Sequence, residues 1–344
     1  MAWKVLVTAR AFWVSGQAAQ AALEEAGCEV VRSPRPGPLT EEELISLLAD
    51  CQAVIGSSDA YTARVFAACP QLKIVSRCGV GVDSVDMAAA AEAGVVATNT
   101  PGAMADGVAD YTFGLMLSIA RQIPAADTLM RSGGWDEIRG VLVYGKTLGL
   151  VGVGRIGRGV AERATGFKMR ILACDPYLQQ SPQAAEFAGL LEFVTLDELL
   201  RQSDFVSLHA PATPETIGMF NKERFAQMKP TAYLINTARG ALIHDADLID
   251  ALESGRIAGA ALDVYTKEPP AADHPLRRAP HCVLTPHNAF NALESTQEMS
   301  WQSAERVLSL LRGEVPACVC NPAVWNAPTL RVPRPTGEEK EIRS

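Results

Sequence analysis

The chain has 344 residues, of which 48% are hydrophobic and 20% charged, and its formal net charge at pH 7 is -8. This length exceeds the size at which a single core usually stops growing, so we expect a globular protein of two domains that share a cleft. The acidic balance argues against a nucleic-acid partner, and the N-terminus enters an apolar strand without a secretory-signal pattern, which predicts a cytoplasmic protein.

Short apolar runs alternate with helical patterns in the first hundred residues. The runs KVLVT, QAVIG, LKIVS and VVATN predict strands, and Thr40 followed by Glu43 predicts a capping box at the start of a helix. Residues 103–121 predict a long helix whose apolar stretch is too short to cross a bilayer. We therefore expect a small doubly wound α/β domain and no membrane partner.

A second alternation begins at KTLGLVGVG and runs through MRILACD, DFVSLHAP, TAYLIN, IAGAALDV and HCVLTPH. Near-continuous apolar strands are typical of a parallel sheet covered on both faces. The fold class is therefore α/β, with two doubly wound parallel-sheet domains. We assign 1–102 and 289–325 to one domain, 103–288 to a second domain inserted into it, and the proline-rich, charged residues 326–344 to a loose tail.

A glycine-rich motif lies between the strand TLGLV and a helical pattern. It reads Gly152, Val153, Gly154, Arg155, Ile156, Gly157. In a GxGxxG turn the first glycine permits the turn, the second lets pyrophosphate approach, and the third allows close helix packing. Asp175 ends the next strand at the position of an acid that binds the adenosine ribose, and its charge disfavours a 2′-phosphate. The motif predicts NAD as cofactor, with Arg155 either a phosphate ligand or simply exposed.

Three polar residues follow three later strands: Arg239 in NTARG, Glu268 in DVYTKEP and His287 in TPH. Open α/β sheets bind ligands at the carboxyl ends of their strands, so these side chains are predicted to meet there. Arginine can hold a substrate carboxylate, and histidine supported by a carboxylate can protonate a developing alkoxide. Each residue alone also has an ordinary structural explanation. Together they predict hydride transfer to a 2-oxo acid.

These segments resemble the D-isomer specific 2-hydroxyacid dehydrogenase family over roughly residues 1–322. The resemblance is carried by GVGVDSVD, NTPG, GLVGVGRIG, NTARGALI, AALDVYTKEP and TPHNA. It implies a Rossmann cofactor domain inserted into a flavodoxin-like substrate domain, with the active site between them. It also implies that Arg239 holds the substrate carboxylate and carbonyl, that His287 exchanges the proton, and that Glu268 hydrogen-bonds His287.

The resemblance implies further contacts and an assembly. Backbone at Val80 and Gly81 would face the substrate, Asp263 would meet the nicotinamide amide, and Thr237 and Ala238 would line the cofactor. A homodimer would form through the long helix and the Trp135 region. The scattered cysteines lack the spacing of a metal site, so no metal is predicted.

Two departures leave alternatives to this NAD-dependent D-2-hydroxyacid dehydrogenase. Many phosphoglycerate dehydrogenases place a phosphate-binding arginine after the strand QAVI, where this chain has Gly56, Ser57 and Ser58. This difference argues against a phosphorylated substrate. The first alternative is nevertheless 3-phosphoglycerate dehydrogenase itself. The stretch after His287 resembles the C-terminal binding protein branch, so an NAD-sensing corepressor-like scaffold is another alternative. Phosphite oxidation within the same superfamily is a third, with no specific residue in its favour. Phe290 would either narrow the pocket or pack at the hinge. His209 would lie either near the nicotinamide or in strand-end structure.

Overall fold

The structure is a computed structural model that describes residues 2–334. The strands in chain order are β1 Lys4–Val7, β2 Glu29–Arg32, β3 Ala53–Gly56, β4 Ile74–Arg77, β5 Val96–Thr98, β6 Thr147–Val151, β7 Arg170–Cys174, β8 Glu192–Phe193, β9 Phe205–Leu208, β10 Tyr233–Asn236, β11 Gly259–Leu262 and β12 Cys282–Leu284. The helices are α1 Arg10–Ser15, α2 Gln17–Glu25, α3 Glu41–Leu48, α4 Ala63–Ala68, α5 Met87–Glu92, α6 Ala105–Ala120, α7 Ile123–Arg131, α8 Arg155–Gly166, α9 Pro176–Gln179, α10 Leu196–Gln202, α11 Lys222–Gln227, α12 Asp245–Glu253 and α13 Leu293–Leu311.

The chain divides into two compact units. One boundary falls between Met104 and Ala105, and the other between Phe290 and Asn291. The domain boundaries predicted from the sequence, after residues 102 and 288, each lie two residues away. The middle unit contains β6 to β12, whereas β1 to β5 and α13 belong to the outer unit.

The outer unit is built on a parallel five-stranded sheet in the order β2-β1-β3-β4-β5, which is the flavodoxin-like order. Helix α13 packs against α1, α2 and β4. Helix α3 begins with the predicted capping box: Thr40 accepts the Glu43 N–H, and the Glu43 carboxylate accepts the Thr40 N–H. This unit confirms the predicted doubly wound domain.

The segment predicted to be a loose tail is held to the outer unit at its start. The Thr329 hydroxyl donates to the Glu92 carbonyl, and the Arg331 N–H donates to the Gly94 carbonyl. The Arg331 guanidinium donates to the carbonyl groups of Phe66, Cys69 and Leu72. Charge and proline content could not reveal these partners. The rest of the predicted tail, residues 335–344, lies outside the described residues.

The middle unit is a parallel seven-stranded sheet in the order β12-β11-β10-β9-β6-β7-β8. Read from β8 to β12, with β6 numbered as strand 1, this is the Rossmann order 3-2-1-4-5-6 followed by one further strand, β12. The strand order reverses between β6 and β9, and β9, β10 and β11 are buried along their whole length. Two parallel-sheet α/β domains are therefore confirmed. Within residues 2–334, no helix combines the length and apolarity needed to span a bilayer.

Candidate active site

The glycine-rich turn joins β6 to α8. Gly152 has φ +93°, a left-handed conformation that favours glycine, and a Cβ there would lie 2.8 Å from the His209 backbone. A Cβ on Gly157 would lie 2.4 Å from the Gly152 carbonyl oxygen, so glycine is needed where α8 passes the turn. A Cβ on Gly154 would meet no atom of the described residues within 4 Å. The turn is therefore tight on its protein side and open on the other.

The open side of the turn fits the pyrophosphate of a dinucleotide. Helix α8 begins at Arg155, and its N-cap, Gly154, carries no side chain that could satisfy the first N–H groups of the helix. Those groups and the helix dipole favour an anion at this end. Arg155 is exposed, whereas Ile156 packs into the core of the middle unit. The residues present thus fit the predicted cofactor.

Asp175 lies between β7 and α9, beside the glycine-rich turn. Its Oδ2 accepts the Val153 N–H at 2.9 Å, and its Oδ1 accepts the Leu178 N–H at 3.0 Å. A carboxylate has about four lone-pair sites, so two backbone donors leave others for ribose hydroxyls. The two hydrogen bonds hold the carboxylate at the edge of the turn.

His209 follows β9 and packs against the glycine-rich turn. Its Nε2 lies 2.8 Å from the Ser207 hydroxyl, and burial lowers the pKa of His209 to about 4. The imidazole is therefore neutral at pH 7. Of the two roles left open by the sequence, the contacts with Ser207 and Gly152 support strand-end structure.

The turn that carries Arg239 is shaped by Asn236, the last residue of β10. The buried Asn236 side chain accepts the Ala238 N–H at 3.0 Å and donates to the Arg239 carbonyl at 2.8 Å. The Arg239 guanidinium donates to the Ala238 carbonyl at 2.8 Å. A Cβ on Gly240 would lie 1.9 Å from the carbonyl carbon of Tyr265. The Arg239 turn therefore lies directly against the loop that follows β11.

That loop carries Glu268, which meets His287 beyond β12. His287 Nδ1 lies 2.5 Å from one Glu268 oxygen, and the Tyr265 N–H donates to the other at 2.9 Å. Burial raises the pKa of Glu268, but the hydrogen bonds from His287 and Tyr265 and the charges of His287 and Arg239 outweigh it, so the pKa lies below its ordinary value. Phe290 packs edge-on to the His287 ring, with centroids 6.1 Å apart.

The loop around His287 is held by the buried carboxylate of Asp263. Asp263 is 0% exposed and accepts the Thr285 hydroxyl at 2.6 Å and the N–H groups of Asn288 and Ala289 at 2.8 Å. The His287 N–H donates to the Asp263 carbonyl, and His287 itself has φ +51°. The observed partners of Asp263 are thus protein groups. Its predicted contact with the nicotinamide amide stays a prediction.

In the outer unit, the predicted substrate-facing residues lie beyond β4. Val80 and Gly81 are half-buried, and the Val80 carbonyl accepts the Asn99 side-chain N–H at 2.9 Å. This hydrogen bond holds the Val80 carbonyl to a side chain of the same unit. Its contact with substrate stays a prediction.

Gly56, at the end of β3, is explained by a buried cluster of the outer unit. A Cβ on Gly56 would lie 2.4 Å from the Tyr61 hydroxyl. That hydroxyl donates to Asp59 at 3.1 Å, and Asp59 also accepts the Thr8 hydroxyl and the Ser57 N–H. Tyr61 and Asp59 are both 0% exposed. A larger residue at position 56 would have to displace this cluster.

Comparison with known proteins agrees with the fold and the turn. The family profile described as D-isomer specific 2-hydroxyacid dehydrogenase, NAD binding domain, matches residues 113–289. The chain is 40% identical to a glyoxylate reductase of Thermofilum pendens over 327 residues, which are 93% of this chain and 94% of that protein. A solved structure of a glyoxylate reductase from Paecilomyes thermophila is similar, with a TM-score of 0.79, 30% identity, and coverage of 91% of this chain and 97% of the other.

A second group of relatives is longer than this chain. It is 40% identical to a D-3-phosphoglycerate dehydrogenase of Methanocaldococcus jannaschii, covering 82% of this chain but only 54% of that protein. The chain therefore spans about half the length of these relatives.

The Rossmann-type sheet and its glycine-rich turn are those of a dinucleotide-binding domain, and the chain belongs to the D-isomer specific 2-hydroxyacid dehydrogenase family. It is an NAD-dependent enzyme that transfers a hydride between nicotinamide and C2 of a 2-hydroxy or 2-oxo acid. The family and cofactor predicted from the sequence are confirmed.

The sequence analysis did not identify the residues that hold the loops of Arg239, Glu268 and His287 in place. Asn236 and Gly240 flank the Arg239 turn, and Tyr265 and Thr285 hold the loops of Glu268 and His287. One signal was available: asparagine at a strand end commonly bonds backbone two residues on, as Asn236 does.

Proposed function

We propose that this enzyme reduces small, unphosphorylated 2-oxo acids, with glyoxylate as the first candidate. The observation that carries the proposal is the 2.5 Å pairing of His287 with Glu268. The Arg239 turn packs against the same loop. Two relatives named glyoxylate reductase, 40% and 41% identical to this chain, support the substrate class.

The proposed roles follow from the chemistry of each side chain. Arg239 binds the substrate carboxylate through charge-assisted hydrogen bonds. His287 donates its Nδ1–H to the ionised Glu268, which leaves Nε2 to give a proton to the oxygen on C2. Glu268 orients the ring and stabilises the imidazolium. Bound NADH supplies the hydride.

The cofactor and substrate contacts are part of the same proposal. The residues proposed to hold NAD are Gly152, Gly154, Arg155, Ile156 and Gly157 at the pyrophosphate, Asp175 at the ribose, and Thr237, Ala238 and Asp263 toward the nicotinamide. Backbone groups of Val80 and Gly81 are proposed to contact the substrate. The shape of the glycine-rich turn and the fixed position of Asp175 support the first part.

The preference for an unphosphorylated substrate rests on Gly56. The Tyr61 hydroxyl occupies the space that a side chain at position 56 would need, and Tyr61 is anchored to the buried Asp59. An arginine at position 56 is therefore sterically excluded while this cluster is intact. Without that cation, a phosphate group loses its predicted partner.

The test is NADH oxidation with glyoxylate, hydroxypyruvate, pyruvate and 3-phosphohydroxypyruvate. Wild-type enzyme should turn over glyoxylate, and His287→Gln should lose about two to four orders of magnitude in kcat while NADH still binds. His281→Gln, a change at an exposed histidine one position before β12, serves as the control. Equal turnover by His287→Gln would refute the assigned role, and a preference for the phosphorylated acid would refute the argument from Gly56.

We also propose a homodimer formed through the long helix α6 and the Trp135 region, residues 123–144, of the middle unit. Of the thirteen exposed large apolar side chains among the described residues, seven lie in this segment, and Trp135 is 87% exposed. Those seven are Ile123, Met130, Trp135, Ile138, Val141, Leu142 and Tyr144. Exposed apolar side chains concentrated in one segment commonly mark a protein interface, and a second copy of the chain is the predicted partner.

Light scattering tests the dimer. Wild-type protein should have twice the chain mass of 36.7 kDa, and Trp135→Glu with Leu142→Glu should shift it toward monomer. Val14→Glu, at an exposed apolar residue of the outer unit, should leave the dimer intact. A monomeric wild type across working concentrations would refute the proposal.

Cytoplasmic residence is a further proposal. All eight cysteines are free thiols, which suits a reducing compartment. Fractionation of cells that express the native protein tests it.

A further inference from the structure

Two buried hydroxyl groups connect helix α6 to the turn that carries Arg239. Thr112 on α6 is 0% exposed, and Thr237, the residue after β10, is 8% exposed. Their Oγ1 atoms lie 2.9 Å apart, although the residues are 125 positions apart in the chain. The pair therefore connects a helix remote in sequence to a residue proposed to contact the cofactor.

The neighbouring carbonyl determines which hydroxyl is the donor. Thr112 Oγ1 also lies 2.8 Å from the Val108 carbonyl oxygen, which can only accept a hydrogen bond. Two oxygens this close repel one another unless a proton lies between them, so the single proton of Thr112 is directed to Val108. Thr237 must then donate its own proton to Thr112.

We propose that Thr112 is a positioning residue that makes Thr237 an acceptor-only group toward the bound cofactor. The Thr237 hydroxyl donates its proton to Thr112, so only the lone pairs of the Thr237 oxygen can meet a ligand. The group that meets Thr237 must then be an N–H or O–H donor, which at the nicotinamide end of NAD is the carboxamide amino group or a ribose hydroxyl. This inference rests on the proposed role of Thr237 in holding the cofactor.

The contact predicts a defined response to small changes at Thr112. Thr112→Val keeps the shape but removes the acceptor, which frees the Thr237 proton to turn against a donor on the ligand. The Kd for NADH, measured by fluorescence titration, should rise about tenfold. Thr112→Ser should bind within twofold of wild type. Thr165→Val is the control, because the exposed Thr165 hydroxyl also donates to a helix carbonyl, that of Glu162.

A cofactor analogue identifies the donor. The reduced 3-acetylpyridine analogue of NADH carries a methyl group in place of the carboxamide amino group. If that amino group meets Thr237, wild type should bind the analogue about tenfold more weakly than NADH, and Thr112→Val should largely abolish this difference. A Thr112→Val variant that weakens both ligands equally, while Thr112→Ser binds both as wild type does, would assign the contact to a ribose hydroxyl, which still supports the proposal.

A folded Thr112→Val variant that binds NADH within twofold of wild type would overturn the inference. Should that variant not fold, Thr237→Val removes the lone pairs directly and leaves Thr112 bonded to Val108. It should raise the Kd about tenfold, and unchanged binding would overturn the inference equally. Failure of the wild-type chain to bind NADH would instead contradict the proposed cofactor contacts themselves.

Discussion

Replacing Gly154 with alanine tests whether the open side of the glycine-rich turn is a cofactor contact. Gly154 has φ -68° and ψ -167°, an extended conformation that alanine adopts freely, and a Cβ there meets no atom of the described chain within 4 Å. Alanine is a poorer N-cap than glycine, so we expect a stability loss of about 0.5–1 kcal/mol. The protein should remain folded.

The effect on binding should be much larger. A methyl group forced into a close contact costs about 1–3 kcal/mol, which corresponds to a rise of about 5- to 150-fold in the Kd for NADH. Fluorescence titration measures the Kd, and thermal unfolding measures the stability of the same samples. The selective loss of binding is the expected signature of a backbone that touches the ligand.

Two other glycines of α8 provide matched controls. Gly166, at the far end of α8, also has open space at its Cβ, so Gly166→Ala should leave the Kd unchanged and stabilise the helix by up to about 1 kcal/mol. Gly157→Ala places a Cβ 2.4 Å from the Gly152 oxygen and should lower stability instead. A folded Gly154→Ala variant that binds NADH within twofold of wild type would show that the pyrophosphate does not lie against Gly154.

Three further predictions concern single side chains. The pKa of His209 falls from about 6.5 to about 4 on folding, so between these pH values the unfolded chain binds a proton that the folded chain does not. The free energy of unfolding should therefore decrease as pH falls through this window, by up to about 3 kcal/mol. Urea titrations should show this decrease for wild type and not for His209→Gln. Glu268→Gln removes the charge beside His287 and should lower kcat by about two orders of magnitude or more in steady-state assays; a loss under threefold would contradict the role of Glu268. Asp175→Ser should raise kcat/KM with NADPH relative to NADH by about tenfold, whereas comparable wild-type efficiency with both would exclude Asp175 as the determinant.

The part of the site that follows from strand order was accessible to sequence reasoning. Parallel strands bring the residues after β10, β11 and β12 to one edge of the sheet, and the structure places Glu268 and His287 within hydrogen-bonding distance there. The glycine motif was readable because each glycine has a physical reason: Gly152 has a left-handed backbone, Gly154 leaves open space, and Gly157 lies against the turn.

Contacts made across the fold were not accessible in the same way. The pairing of Thr112 with Thr237 joins a helix interior to a strand end, and Thr112 lies outside every motif that the sequence offers. The anchoring of Arg331 depends on carbonyl groups around the end of α4, which composition cannot reveal. The carboxylate of the buried Asp263 likewise has donors that all lie 22 to 26 positions further along the chain, in the loop after β12.

The close approach of Gly240 to Tyr265 bears on how substrate preference could be changed. Because no side chain fits between these two backbones, the Arg239 and Glu268 loops must shift together or not at all. An insertion in one loop would misplace the proposed carboxylate-binding arginine and the acid partner of His287 at once. Redesign of specificity should therefore leave both backbones of this junction unchanged.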